Sequence, residues 1–163
     1  MQKIVPFLWF NNNAEEAVNY YVSIFKDAKI SKTIRYSKSS ANVSGMPRDS
    51  VMTVAFQLAG QEFVALNGGP IFKFTEAVSF VVNCETQEEL DYYWSRLSEG
   101  GDEKAQQCGW LKDKYGVSWQ VVPATLNSML QSADKKKAER VTHAIMHMKK
   151  LDIAVLRSAY DSD

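Results

Sequence analysis

"EEAVNYY" spans residues 15–21 and "EELDYYW" spans residues 88–94. At a fixed offset of 73 residues the likeness spreads outward. Phe7 matches Phe80, Leu8 matches Val81, Glu15 and Glu16 match Glu88 and Glu89, Tyr20 matches Tyr93, Tyr21 matches Trp94, and Ile24 matches Leu97. Four of these seven pairs are identities, and all fall in order. A repeated supersecondary unit decides the architecture before any single residue does.

Each copy reads as an apolar strand, a short polar break and a helix. Asn13 with Glu16, and Thr86 with Glu89, have the spacing of a capping box that satisfies free amides at a helix start. Ala17, Tyr20, Tyr21 and Ile24 form one buried stripe, and Leu90, Tyr93, Trp94 and Leu97 another, at helical spacing. Gly100 and Gly101 stop the second helix. Strands are expected next at residues 30–36, 51–58 and 61–67, with a tight turn at Gly60-Gln61 between the last two. In the second copy strands at 108–112 and 117–122 flank a turn, Asp113-Lys114-Tyr115-Gly116, and the strand expected before Cys108 is less clear. The Ser, Asn, Gly and Pro of residues 37–50 read as an exposed mobile loop.

Beyond Pro123 the pattern turns to helices only, at 124–131, 135–150 and 152–160, with Ala138, Val141, Ile145 and Met148 as an apolar face. The expected fold class is α+β. Two βαβββ repeats, about 1–74 and 75–123, make one domain over 1–123, and a helical extension follows at 124–163.

Bulk composition narrows the function classes. The 163 residues are 45% hydrophobic and 23% charged, the balance of a globular domain. Nineteen basic and nineteen acidic residues cancel, so no broad positive field gathers nucleic acid or an anionic membrane. No stretch approaches the roughly 18 apolar residues that span a bilayer. Cys84 and Cys108 lack metal spacing and, with no signal peptide in view, read as free thiols in a cytoplasmic protein.

The phrases "PFLWF", "AEEAVNYYVSIF", "VMTVAFQLAGQEFVALNGGP", "VSFVVNCETQEELDYYWSRLSEGG" and "CGWLKDKYGVSWQVVP" resemble the PhnB-like branch of the vicinal oxygen chelate superfamily, whose members include glyoxalase I, bleomycin-resistance proteins and extradiol dioxygenases. The resemblance covers nearly the whole chain. It implies a glyoxalase/bleomycin resistance/dioxygenase-like fold, in which the two repeats form a curved mixed sheet around a cup with the helices outside. It also implies a homodimer. The branch often carries the label 3-demethylubiquinone-9 3-methyltransferase. A methyltransferase of the usual kind offers a glycine-rich turn between strand and helix. Here Gly68-Gly69 precede Pro70 and a strand-like segment, and Gly100-Gly101 end a helix.

Metal-using relatives place ligands on the first and last strand of each repeat. Carried over, those positions fall on Pro6 and Ser79, on Val64 or Ala65, and on Gln120. Only Gln120 offers a usual ligand; proline and valine have no donor atoms, and a serine hydroxyl is a poor partner for a divalent ion. The expectation is therefore no metal and no cofactor. His143 and His147 share a helical face, but "HAIMH" lacks the glutamate that follows the first histidine in zinc proteases, and a solvated stripe is the preferred reading.

If the first-strand ligand positions face the cup, alternation sends Leu8, Phe10, Val81 and Asn83 inward and Phe7, Trp9, Phe80 and Val82 toward the helices. Ser118, Gln120 and Val122, with Thr53, Ala55 and Gln57, join the inner wall. The candidate ligand-binding residues are Leu8, Phe10, Thr53, Gln57, Asn67, Ser79, Asn83, Cys108 and Gln120. Amides and hydroxyls on an apolar background suit a small, partly aromatic organic molecule. The alternative is a metal-independent enzyme acting on a small carbonyl or quinone-like substrate. No partner other than a small molecule and a second copy is expected.

Overall fold

In the computed structural model, which describes residues 2–162, Ala59 and Gly60 turn the chain with φ of 46° and 81°. Both angles are left-handed, as a two-residue hairpin of the type I′ kind requires. The turn joins β3 (Val51–Leu58) to β4 (Gln61–Asn67). The chain divides between Phe74 and Thr75 into two compact units.

In the first unit the sheet order is β1-β4-β3-β2, with β1 at Phe7–Phe10 and β2 at Ala28–Arg35. β1 runs parallel to β4, and the other pairs are antiparallel. Helix α1 (Ala14–Ile24) buries Ala14, Ala17, Val18, Tyr21 and Ile24. Tyr21 stacks on Phe56 at 6.4 Å, and Phe56 on Phe63 at 5.3 Å. Removing each such side chain from water contributes about 1.5–3 kcal/mol. Asn13 makes no side-chain cap bond. Its expected role passes to Asn67, whose Oδ1 accepts the Ala14 N–H at 2.8 Å. Part of the expected loop at 37–50 is helix α2 (Lys38–Ser44), capped reciprocally by Ser37 and Ser40 and closed by Gly45 at φ 72°.

In the second unit the order is β5-β7-β6, with β5 at Ser79–Cys84, β6 at Trp110–Lys112 and β7 at Ser118–Pro123. β5 and β7 are parallel, β6 and β7 antiparallel. Among the described residues this sheet has three strands where the repeat pattern calls for four. The 3-10 turn Glu103–Ala105 stands in the connection where the other strand was expected. Helix α3 (Gln87–Ser98) opens as foreseen, with Thr86 Oγ1 accepting the Glu89 N–H at 3.2 Å. The Glu89 carboxylate in turn accepts the Glu85 N–H at 2.8 Å.

The tail contributes α4 (Leu126–Leu130), α5 (Lys135–Met146) and α6 (Ile153–Asp161) to this unit. α5 ends four residues earlier than expected. Met148 and Lys149 instead lend their carbonyls to the N–H groups of Cys108 and Gly109, both at 2.8 Å. Of the foreseen apolar face only Val141 is fully buried, joined by Leu151 and Leu156. Gln87 ties the tail to α3, accepting the Ile153 N–H at 2.8 Å and donating to the Leu151 carbonyl at 3.3 Å. No helix among the described residues is long and apolar enough to cross a membrane.

Candidate functional site

Strand pairing fixes which side chains share a face. In the first sheet Leu8 pairs with Ala65, Phe10 with Asn67, Val54 with Ala65 and Phe56 with Phe63. Because Phe56 stacks on Tyr21 of α1, all of these belong to the helix-covered face. Leu8 and Phe10, expected in the cup, are core residues, 8% and 3% exposed. Asn67 stands with them and works as a clamp. Its Oδ1 holds the start of α1, its Nδ2 donates to the Val51 carbonyl at 3.0 Å, and its own carbonyl accepts the Tyr36 hydroxyl at 2.6 Å.

The reversal has a local cause. The helices keep the 73-residue offset, Ala14 against Gln87. Between strand and helix, however, the first repeat has three residues, Asn11 to Asn13, and the second only two, Glu85 and Thr86. One inserted residue moves every side chain of a strand to the opposite face. The first sheet therefore turns Phe7, Trp9, Thr53, Ala55, Gln57, Val64 and Leu66 away from α1, and the β3 expectation for Thr53 and Gln57 agrees with this facing. Trp9 is fixed there by its Nε1–H to the Gly69 carbonyl at 2.9 Å and by an edge contact with Phe72 at 5.0 Å. A Cβ at Gly68 would come within 2.3 Å of the Trp9 indole. Glycine is what lets that ring lie flat on the chain.

In the second sheet Phe80, Trp119 and Leu111 turn toward α3, as does Cys84. Burial first, and then the charges of Glu89 and Glu85, push the Cys84 thiol up to about 12. That thiol is inert. The opposite face carries Ser79, Val81, Asn83, Trp110, Lys112, Ser118, Gln120 and Val122. Gln120 Nε2 donates to Ser79 Oγ at 2.9 Å. Lys112 pairs with Glu76, and that hydrogen bond with the nearby positive charge holds the Glu76 carboxyl below its usual range. Ser118 is 2% exposed, and its Oγ has no hydrogen-bond partner. Cys108, another candidate, is drawn to the tail, with its Sγ 4.0 Å from Met146 Sδ and its φ at 55°.

Ligation of a divalent ion is poorly served. The Pro6 carbonyl is taken by the Val64 N–H at 3.0 Å. Val64 pairs with Phe7 as Gln120 pairs with Val81, so Val64 is the structural counterpart of Gln120. It has no donor atom. No group of three or more His, Cys, Asp or Glu among the described residues is arranged to hold a metal. His143 and His147 lie exposed with rings 4.5 Å apart, and His147 Nδ1 donates to the His143 carbonyl at 2.8 Å.

A separate groove of about 530 Å³ lies where α3 begins, lined by Glu85, Thr86, Gln87, Ile153, Ala154 and Arg157. The amides of Glu85 and Glu89 beside it are already capped.

Residues 2–122 match the family described as 3-demethylubiquinone-9 3-methyltransferase. The chain belongs to this PhnB-like family. The PhnB protein of Bacillus cereus is similar to it at 38% identity over 76% of this chain and 100% of that one, with a TM-score of 0.64. A Pseudomonas aeruginosa protein is 21% identical over 73% of this chain and 95% of that one, with a TM-score of 0.55. The fosfomycin resistance protein FosX of Listeria monocytogenes is 16% identical over 81% of this chain and 100% of that one, at 0.51. These last two speak for the fold alone, the α+β fold of the glyoxalase and vicinal oxygen chelate type that the PhnB-like chain shares. No curated protein matches it.

Proposed function

We propose that this PhnB-like protein binds a small, partly aromatic organic molecule on the face of the second sheet turned away from α3, and does so without a metal ion. One observation carries the reading: a serine hydroxyl, that of Ser118, is buried there with no partner. Leaving such a group unsatisfied costs about 1–3 kcal/mol, and because the hydroxyl is covered in the free protein, a ligand would complete it by displacing that cover. Around it lie the Gln120–Ser79 amide and hydroxyl pair and the apolar surfaces of Trp110, Val81 and Val122. A few polar groups on an apolar ground are the usual make-up of a small-molecule site.

The methyltransferase activity in the family's name is not carried over. The strand-to-helix connections that would cradle S-adenosylmethionine are Asn11-Asn12-Asn13 and Glu85-Thr86, with no glycine in either. The donor set likewise argues against a divalent ion. Two copies are expected to associate, since Phe7 on the first sheet leaves 59% of its surface exposed.

Thermal-shift titration with small arenes, in protein whose metal content has been measured, tests the reading. A saturating ligand at 100 times its Kd adds about 2.7 kcal/mol to the folded state. Ser118→Ala should weaken that shift and leave the unliganded melting temperature at or above wild type. A stoichiometric bound metal, or stabilisation by S-adenosylmethionine alone, would overturn it.

A further inference from the structure

We propose that the molecule held on the second sheet carries an oxyanion, and that Glu76 is a tethered carboxylate occupying its place until it arrives. This deepens the reading above and rests on it.

The argument starts from register. Lys112 pairs with Ser118, and Ser118 pairs with Ser79, so the three residues form one straight row across β6, β7 and β5. Neighbouring strands are about 4.8 Å apart, so the row extends over roughly 10 Å. Each member presents a donor. Lys112 brings an ammonium group. Ser118 brings a hydroxyl with no partner, covered in the free protein and reached only once its cover moves. Ser79 Oγ already accepts from Gln120 Nε2, which leaves its own proton to give. Three donors in line, one of them charged, are complementary to a carboxylate or a similar oxyanion. The next row, Trp110–Gln120–Val81, brings an indole, an amide and an aliphatic side chain. An anionic head on the first row would thus place an aromatic body on the second.

Glu76 completes the picture. The Lys112 side chain is only 24% exposed, and a cation so far withdrawn from water needs a counter-charge. Its present counter-charge comes from an exposed, irregular stretch, residues 75–78, and the Glu76 side chain remains 59% exposed. A pair with one partner mainly in solvent is weak and exchangeable. A ligand carboxylate with further hydrogen bonds to Ser118 and Ser79 would replace it without leaving Lys112 uncompensated.

The test uses the full chain and three probes of similar size: benzoate, phenylphosphonate and benzamide, titrated by calorimetry or thermal shift. Benzoate or phenylphosphonate should bind more tightly than benzamide. Glu76→Gln, which removes the competing carboxylate, should tighten the acids about threefold or more and leave benzamide unchanged. Lys112→Met should weaken the acids about tenfold and abolish the discrimination. If acids and amide bind alike, or Glu76→Gln leaves the acids unchanged, the oxyanion proposal falls while the binding site stands. If no arene binds wild type or Glu76→Gln, both readings fall.

Discussion

The carboxylate of Asp113 accepts the indole N–H of Trp119 at 2.8 Å, and the same side chain accepts the N–H groups of Tyr115 and Val117 at 2.9 and 3.0 Å. One buried residue thus closes the β6–β7 turn and fixes the ring beneath it. Asp113→Ala should lower stability by about 3 kcal/mol, because three charge-assisted bonds disappear, one of them from a buried indole N–H. Urea unfolding followed by tryptophan fluorescence checks this; a loss under 1 kcal/mol would contradict the assignment.

Asn67 offers a test of site against scaffold. Its side chain joins the start of α1 to β3, so Asn67→Ala should cost about 2 kcal/mol and leave ligand affinity on the second sheet unaltered. A variant of full stability that failed to bind would show the opposite.

The two cysteines should behave differently. With the Cys84 thiol at about 12, a disulfide reagent at pH 8 should modify one thiol in the native protein and two after unfolding. The sign of the pH effect follows from the raised pKa. Its contribution to stability is complete below the ordinary thiol value of 9.0 and declines as pH rises toward about 12.

Gln87 and Asp91 fasten the tail. Asp91 is paired with Lys150 at 2.6 Å and accepts from Gln87 Nε2 at 2.9 Å, and these bonds, Lys150 first, hold its carboxyl below the ordinary 3.8. Its contribution is present above that ordinary value and fades as pH falls through the lower folded value. With the Asp91 side chain 46% exposed, the effect should stay under about 1 kcal/mol. Gln87→Leu should do more, speeding hydrogen exchange at the Ile153 amide while exchange in β7 stays slow.

Much of this architecture was legible in the sequence because the repeated helices carry their own signals: paired glutamates, aromatic doublets and a stop at Gly100. The β3–β4 hairpin was legible from its turn signal, though the turn lies at Ala59-Gly60 and not at Gly60-Gln61, and the facing of β5 and β7 followed from alternation. The facing of β1 did not, since four strand residues carry too little pattern to reveal one additional asparagine before the helix. Helix α2 was missed because Ser40 fills the capping position where Glu or Gln is the usual sign. The partnerless state of Ser118 and the Lys112–Glu76 pair were beyond reach. Both depend on register between strands far apart in the chain, which one sequence does not display.

The carbonyls of Met148 and Lys149 bear on the solubility of the molecule. Gly109 lies between two neighbours, giving its carbonyl to the Val121 N–H at 2.8 Å and its own N–H to Lys149 at 2.8 Å. The family match ends at residue 122, and the segment that shields this border lies beyond it. It stands in for a missing strand and denies strangers a template for pairing. Cutting the chain after His147 would bare that template, and self-adhesion of the shortened protein should precede any loss of its secondary structure.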